Sequence, residues 1–332
     1  MVKMKKMMAA VALTAVAALA LTGCGEKSGE YPTGKIDCVV PGGAGGGWDT
    51  AMRTVVKTLQ DTDLVSVPMP VTNLPGGGGG VALADLQKKV GEDRVLTIYS
   101  PPLLLINLNG SSEYGYEELT PIAQLMTDYG AFVVSKDSKY KTINEVMEAL
   151  KADPTSVKFG GNSAAGSMDH LQFLVAAKAA GIEDLEKLNY ISFQNNEGAA
   201  QLLGGHIDML STGLADVSAL IENGDLVGLA STAEERAGEG VIGEIPTLKE
   251  QGIDAVFYNW RGLFGPKDMP AEAVAFWEET LATMVEAPEW SEACAKNGWS
   301  QTFAKSEEFK TNLDRYNEEY KVILDEIGML KK

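Results

Sequence analysis

The chain contains 332 residues, of which 28 are basic and 46 are acidic, so its formal charge at neutral pH is −18. This excess of acids repels nucleic acid and argues against a basic phosphate-binding face, so no nucleic-acid partner is expected. A hydrophobic content of 45% is typical of a folded globular protein. The length suits two domains better than one.

The first residues have the pattern of a targeting segment. Three lysines precede an apolar stretch, which ends in a Leu-Thr-Gly-Cys sequence that resembles the lipobox of bacterial lipoproteins. We therefore expect a signal peptide over residues 1–23, lipidation of Cys24 and a lipidated tether over residues 24–34. A plain signal peptide or a short transmembrane anchor is the alternative. Removal of residues 1–23 takes away three lysines, so the mature charge becomes 25 − 46 = −21.

The remaining segments, in chain order, alternate between strand and helix patterns. The first hundred residues contain predicted strands at 36–40, 65–71 and 95–99 and predicted helices at 51–59 and 81–90. The alternation continues with predicted strands at 131–135, 158–160, 190–193, 207–210 and 227–231 and predicted helices at 143–150, 168–180, 198–203 and 217–223. From residue 271 onward the pattern is helical and amphipathic. This alternation predicts an α/β fold with a largely parallel sheet.

Two glycine-rich segments follow predicted strands and precede predicted helices, at 41–49 and at 73–80. Backbone N–H groups and the helix dipole at such turns bind small anions without a cationic side chain. Asp49 is expected at the N-cap of the first helix. A nucleotide site is disfavoured, because Trp48 interrupts the dinucleotide-binding glycine pattern and a Walker lysine is missing. A flexible loop is the alternative for each segment.

A third segment, Gly-Gly-Asn-Ser-Ala-Ala-Gly-Ser at 160–167, opens a predicted helix and offers hydroxyl groups. It fails as an esterase elbow, because the required second glycine is Ala165. His170 lies in the first turn of the helix, where a cation is unfavourable, so we expect a neutral rather than a catalytic histidine. The residue spacings indicate neither a metal site nor a cofactor, and no catalytic residues are predicted.

An ordered set of motifs, from about residue 35 to 329, resembles the extracytoplasmic substrate-binding subunits of tripartite tricarboxylate transporters. These motifs lie at 40–49, 73–76, 161–171, 203–208, 224–226 and 245–252, with Asn-Trp-Arg-Gly at 259–262. The resemblance implies a two-lobe α/β fold of the periplasmic-binding-protein-like type II, with a ligand cleft between the lobes. Lobe 1 would contain residues 35–128 and 258–332, and lobe 2 residues 129–257.

The resemblance also implies a function, which is to bind a small carboxylate, most simply a tricarboxylate such as citrate. The protein would deliver it to the large and small integral membrane subunits of the transporter, from the extracytoplasmic face of the cell membrane, where its lipid anchor holds it. Carried over by motif, the ligand-binding residues would be Gly45, Gly46, Gly47, Trp48, Asp49, Asn73, Gly76, Gly77, Ser163, Ala164, Gly166, Ser167, His170, Gln194, Asn195 and Arg261. The loop with Gln194 and Asn195 departs from the glycine-rich pattern of the family, so its contacts and the substrate stay open.

Alternatives from other classes are a secreted α/β hydrolase-like enzyme and a ligand-sensing receptor domain. A hydrolase would need a nucleophile with a histidine and an orienting acid, and the sequence shows no such set. Arg261 also has two interpretations. It could contact a ligand carboxylate or an acid that closes the cleft, or it could fix the geometry of a strand that crosses between the lobes.

Overall fold

The computed structural model describes residues 31–193 and 197–331, so Cys24, Gln194, Asn195 and the predicted signal peptide lie outside the described residues. Within the described residues, ten strands form one hydrogen-bonded sheet. They are β1 (Asp37–Val40), β2 (Val71–Asn73), β3 (Val95–Tyr99), β4 (Leu119–Ser135), β5 (Phe159–Gly161), β6 (Tyr190–Ser192), β7 (Met209–Gly213), β8 (Leu226–Ser231), β9 (Tyr258–Pro266) and β10 (Ser300–Lys305).

The α-helices of the described residues lie on both sides of this sheet. They are α1 (Gly47–Asp61), α2 (Gly80–Leu86), α3 (Pro102–Leu108), α4 (Ile143–Ala152), α5 (Met168–Ala179), α6 (Gly198–Leu203), α7 (Leu214–Glu222), α8 (Gly240–Gly243), α9 (Ala271–Val285), α10 (Pro288–Asn297) and α11 (Ser306–Glu326). No described helix has the length and apolar character needed to cross a membrane.

The long strand β4 joins two halves of the sheet. Its residues 119–129 pair antiparallel with β9, and part of the same stretch pairs with β10. Its residues 130–135 pair antiparallel with β7 and β8 instead. The order along the main path is β2-β1-β3-β9-β4-β7-β5-β6. The change of partners near residue 129, opposite the start of β9 at Tyr258, supports the proposed lobe boundaries.

Each half-sheet is covered on both faces by helices, and its outer strands pair in parallel. The sheet is mixed rather than largely parallel as predicted, because β9 and the long strand β4 form antiparallel pairs with their neighbours. In the first half, the core on one face of the sheet is formed with α1, α9 and α10 and contains Trp277 and Trp290. The core on the opposite face is formed with α2, α3 and α11 and contains Phe309. In the second half, Phe173 lies in the core under α4 and α5, and Leu214 lies in the core with α6, α7 and α8. The cleft runs between these two lobes.

Several local predictions differ from the structure. The second strand is β2 at Val71–Asn73 rather than 65–71, because Pro68 and Pro70 lack the N–H groups that a ladder needs. The helical pattern after residue 271 missed β10, which pairs with β4. Asp49 is not the N-cap of α1, since the helix begins at Gly47 with Gly46 as its N-cap.

Candidate functional site

The cleft between the lobes contains two chambers of about 210 and 230 Å³. Gly47, Asn162 and Asp216 line both chambers, so the chambers adjoin. The first chamber is also lined by Gly42, Gly43, Gly46, Trp48, Ser100, Pro102, Ser163, Met168, Asp169 and Arg261. The second is also lined by Gly45, Thr50, Asp128, Ala199, Ala215, Val217, Asn297 and Trp299. Each chamber therefore takes residues from both lobes, as a clamp that closes on a ligand requires.

Asp49 holds the glycine-rich loop in place without lining the cleft. Its carboxylate accepts hydrogen bonds from the N–H of Gly45, from Nε of Arg53 and from Nδ2 of Asn73, each at 2.9 Å. Asn73 Nδ2 also donates to the carbonyl of Gly42 at 2.9 Å. Burial opposes ionisation of Asp49, but these hydrogen bonds lower its pKa overall. Asp49 and Asn73 thus position the loop that presents the start of α1 to the first chamber.

Arg261 on β9 forms a buried ion pair with Asp128 on β4. Nη2 of Arg261 lies 2.8 Å from Oδ2 of Asp128, and the two side chains are 6% and 2% exposed. Nδ2 of Asn259 donates to the same oxygen at 3.3 Å. The guanidinium also packs against Gly47, since a Cβ at that position would lie 2.6 Å from Nη2. Arg261 therefore both ties the two crossing strands together and lines the first chamber, so its two predicted roles are compatible.

The second glycine run does not reach the cleft, and Gly76 and Gly77 line neither chamber. Four successive glycines, from residue 76 to 79, have positive φ, which L side chains rarely adopt. The carbonyl of Gly79 accepts a hydrogen bond from the Tyr99 hydroxyl at 2.9 Å, and a Cβ at Gly79 would lie 2.8 Å from that ring. Gly79 thus serves close packing against Tyr99, and Gly78 serves close packing against Ile106. The helix that follows, α2, has only seven residues.

The third predicted segment places Ser163 in the first chamber, while Ala164, Gly166 and Ser167 do not line the cleft. Oγ of Ser163 accepts a hydrogen bond from the N–H of Asp169 at 3.0 Å, which ties the loop to the first turn of α5. Gly166 instead approaches the C-terminal segment, because a Cβ there would lie 3.0 Å from the sulfur of Met329. Only the start of this loop faces the ligand cleft.

His170 lies behind the cleft and lines neither chamber. Its Nδ1 accepts a hydrogen bond from the N–H of Gly166 at 3.0 Å, and its ring stacks on Tyr190 with 4.5 Å between centroids. Burial lowers the pKa of His170 to about 4, so the ring is neutral at physiological pH. Nε2 of His170 has no hydrogen-bond partner among the described residues, so no serine hydroxyl is hydrogen-bonded to this ring as a catalytic pair would require.

Three aspartates bring negative charge to the cleft. Burial and the charge of nearby Asp216 together raise the pKa of Asp169 to about 7, against hydrogen bonds that include the N–H of Asn162 at 2.8 Å. Burial likewise raises the pKa of Asp128 to about 6, against the opposing charge of Arg261. Asp216 is exposed in the cleft, yet the surrounding protein removes enough water from its carboxylate to raise its pKa, against the opposing charge of Arg261. Among the described residues, no group of three His, Cys, Asp or Glu side chains could hold a metal ion.

Of the predicted contact residues that the structure describes, Gly45, Gly46, Gly47, Trp48, Ser163 and Arg261 line the cleft. The sequence analysis did not identify the lining residues Ser100, Asn162, Asp128, Asp169 and Asp216. Ser100 accepts a hydrogen bond from Nε1 of Trp48 at 2.9 Å, a contact between distant segments that no local pattern shows. Asp128 could have been found, because an aspartate inside an otherwise apolar strand pattern needs a charged partner.

Several proteins of known structure share this architecture. A solved structure of a TctC solute-binding protein from Polaromonas has 29% sequence identity and a TM-score of 0.68, and the match covers 89% of this chain and 99% of that one. MatC from Rhodopseudomonas palustris, with bound malate, has 18% identity and a TM-score of 0.72, over 91% and 100% of the two chains. An R. palustris protein with adipate has 19% identity and a TM-score of 0.78, over 90% and 99%. These neighbours confirm the predicted two-lobe fold.

The family model described as the tripartite tricarboxylate transporter family receptor matches residues 53–329, which is most of the chain. The members of this family, like the Polaromonas neighbour, are solute-binding proteins rather than enzymes. The prediction of a binding protein is therefore confirmed. The chain therefore belongs to the tripartite tricarboxylate transporter receptor family, whose members are periplasmic solute-binding proteins.

Proposed function

We propose that this receptor binds a small carboxylate, with a tricarboxylate such as citrate first, in the cleft between its lobes. It then delivers the ligand to the large and small integral membrane subunits of the transporter. We also propose that a lipid on Cys24 anchors it to the extracytoplasmic face of the membrane. The observation that carries the ligand class is the position of the Arg261 guanidinium beside the N-terminus of α1 in the first chamber.

Both of these groups favour a carboxylate. The first N–H groups of a helix lack partners within the helix, and the dipole of the 15-residue α1 adds partial positive charge at Gly46 and Gly47. A guanidinium presents several N–H donors in a planar fork that matches a carboxylate. Only one Arg261 nitrogen is engaged by Asp128 within the described residues, and its buried Nε has no partner there. The solved relative with bound malate is consistent with a carboxylate ligand.

The direct test is a thermal-shift panel on protein that lacks the lipid anchor and has been stripped of bound ligand. The panel contains tri-, di- and monocarboxylates and amino acids, together with sugars as controls that lack a carboxylate. At a ligand concentration one hundred times Kd, binding stabilises the folded state by about 2.7 kcal/mol, which corresponds to several degrees in Tm. Shifts confined to sugars, with every carboxylate silent at millimolar concentration, would refute the proposed ligand class.

The proposed delivery to the membrane subunits needs a separate measurement. Uptake of a radiolabelled ligand is compared in cells with and without the membrane subunits, with the receptor present in both. Uptake that depends on receptor and membrane subunits together is expected. Receptor-dependent uptake that persists without the membrane subunits would contradict the proposal.

A further inference from the structure

The two chambers carry more negative than positive charge. Asp128, Asp169 and Asp216 supply three carboxyl groups, whereas Arg261 is the cationic side chain among the described lining residues. With every acid ionised, the four groups sum to −2. Arg261 is already paired with Asp128 at 2.8 Å and acts on Asp216 only at longer range, so Asp169 and Asp216 form no ion pair among the described residues. A ligand made only of carboxylates would bring further negative charge to this surface.

Two of these acids have oxygens without a partner. Asp128 and Asp169 are 1% and 2% exposed, and Oδ1 of each lacks a hydrogen-bond partner among the described residues. A buried acceptor without a donor is unfavourable, and such groups are found at binding sites where a ligand or water completes them. Both side chains border the chambers, so the cleft contains acceptor capacity that the described protein atoms do not use.

Asp216 is the acid that a ligand can reach. It lies in the first turn of α7, lines both chambers and is exposed to the cleft. Its carboxylate accepts a hydrogen bond from Oγ1 of Thr212 that is 3.5 Å long and therefore weak, and another from the N–H of Gly213. Oδ2 of Asp169, in contrast, is held by the N–H of Asn162 at 2.8 Å. Asp216 is thus held only in part by the protein and can accept a further hydrogen bond in the cleft, on the opposite lobe from Arg261.

We propose that this cleft selects carboxylates that also carry a hydrogen-bond donor, a hydroxyl or an ammonium group, near one carboxylate. Arg261 and the N-terminus of α1 bind the carboxylate, and Asp216 accepts the hydrogen bond from the donor across the first chamber. This inference rests on the proposed carboxylate function and narrows its substrate class. A ligand with both groups is bound by both lobes at once, which favours the closed cleft.

The test uses ligands that differ in a single group. Succinate, malate and aspartate share a four-carbon dicarboxylate and carry no donor, a hydroxyl and an ammonium, respectively, while tricarballylate and citrate form the matching tricarboxylate pair. Affinities are measured by isothermal titration calorimetry on ligand-stripped protein. A hydrogen bond to a charged acceptor contributes about 1.5–3 kcal/mol, so a roughly 10- to 100-fold preference for the donor-bearing member is expected in the series that binds.

Variants of Asp216 assign this preference to one side chain. Asp216→Ala should abolish the preference, and the exposed Asp254→Asn of the same lobe serves as the charge-matched control with the preference intact. Asp216→Asn keeps an oxygen acceptor but loses the charge, so it should weaken aspartate more than malate if the donor is an ammonium. Thermal unfolding of each variant checks that the fold is retained.

Two results would overturn the inference while leaving the proposed function intact. One is equal affinity for succinate and malate and for tricarballylate and citrate in the unmodified protein. The other is a donor preference that Asp216→Ala leaves unchanged in a folded variant. Silence of all five ligands and of every other carboxylate in the thermal-shift panel would instead overturn the proposed carboxylate function itself, and this inference with it.

Discussion

Replacement of Gly47 by alanine tests whether the start of α1 and Arg261 act as one binding surface. A Cβ at this position would lie 2.6 Å from Nη2 of Arg261, whereas ordinary contact begins at 3.4 Å, so the guanidinium must move by about 3.4 − 2.6 = 0.8 Å. It has little freedom to do so, because it is buried and paired with Asp128 at 2.8 Å. A shift of that size weakens the ion pair or displaces the helix start.

The expected loss of stability in Gly47→Ala is measured against a matched control variant. Overpacking in a filled site costs about 1–3 kcal/mol, and each kcal/mol lowers Tm by about 2–4 °C for a domain of 150–250 residues. Gly43→Ala is the control, since Gly43 lines the same chamber but a Cβ there meets no atom within 4 Å. Both changes restrict the unfolded chain, which favours folding by about 0.4–1 kcal/mol, so that gain cancels in the comparison.

The assay is thermal unfolding of both variants with and without a carboxylate that binds the unmodified protein. We expect Gly47→Ala to unfold several degrees below Gly43→Ala and to lose most of the ligand-induced shift. If the two variants have the same Tm and the same ligand-induced shift, the coupling between Gly47 and Arg261 does not exist as described.

Three further outcomes are expected. Cys24→Ser should release the protein from membranes, and retention in the membrane fraction after a high-salt wash would place the anchor elsewhere. Arg261→Lys keeps the charge but loses the planar fork, so ligand affinity and Tm should both fall. If both stay unchanged, Arg261 has neither the ligand-binding nor the structural role. The pKa of Asp169 is raised to about 7, so the folded state binds an extra proton between about pH 4 and pH 7 and its stability falls as pH rises. Asp169→Asn should therefore gain Tm relative to the unmodified protein over this range, and parallel Tm curves would refute the shift.

The sequence predicted the parts of the fold that local patterns control. Alternating strand and helix segments gave the α/β class, and β3 at Val95–Tyr99 and α6 at Gly198–Leu203 lie where they were expected. The strands β9 and β10 were missed as patterns, because their pairing with β4 depends on partners far away in the chain. Element boundaries near prolines and glycines differ from the predicted ones, because these residues alter backbone conformation and hydrogen bonding.

The sequence predicted the site residues that a glycine-rich backbone segment defines, but it did not predict those that burial defines. The glycine segment before α1 could be recognised from composition, and Gly45–Trp48 do line the cleft. The 76–80 glycines share that composition, but in the structure Gly79 packs closely against Tyr99 and Gly78 against Ile106. Asp169 resembled an ordinary acid in the first turn of a helix, and only its burial beside the cleft distinguishes it.

The charge of the whole chain and the local groups of the cleft act in opposite directions on an anionic ligand. At −18 the chain repels an anion at long range, and this repulsion is screened beyond about 8 Å at physiological ionic strength. Within the cleft the helix dipole of α1 and the Arg261 guanidinium act at contact distance, where the medium screens them least. The aspartates of the cleft reduce this attraction for any ligand that offers only carboxylates. Affinity therefore has to come from short, directed hydrogen bonds in the closed cleft, and a ligand that both donates to Asp216 and accepts from Arg261 uses the most of them.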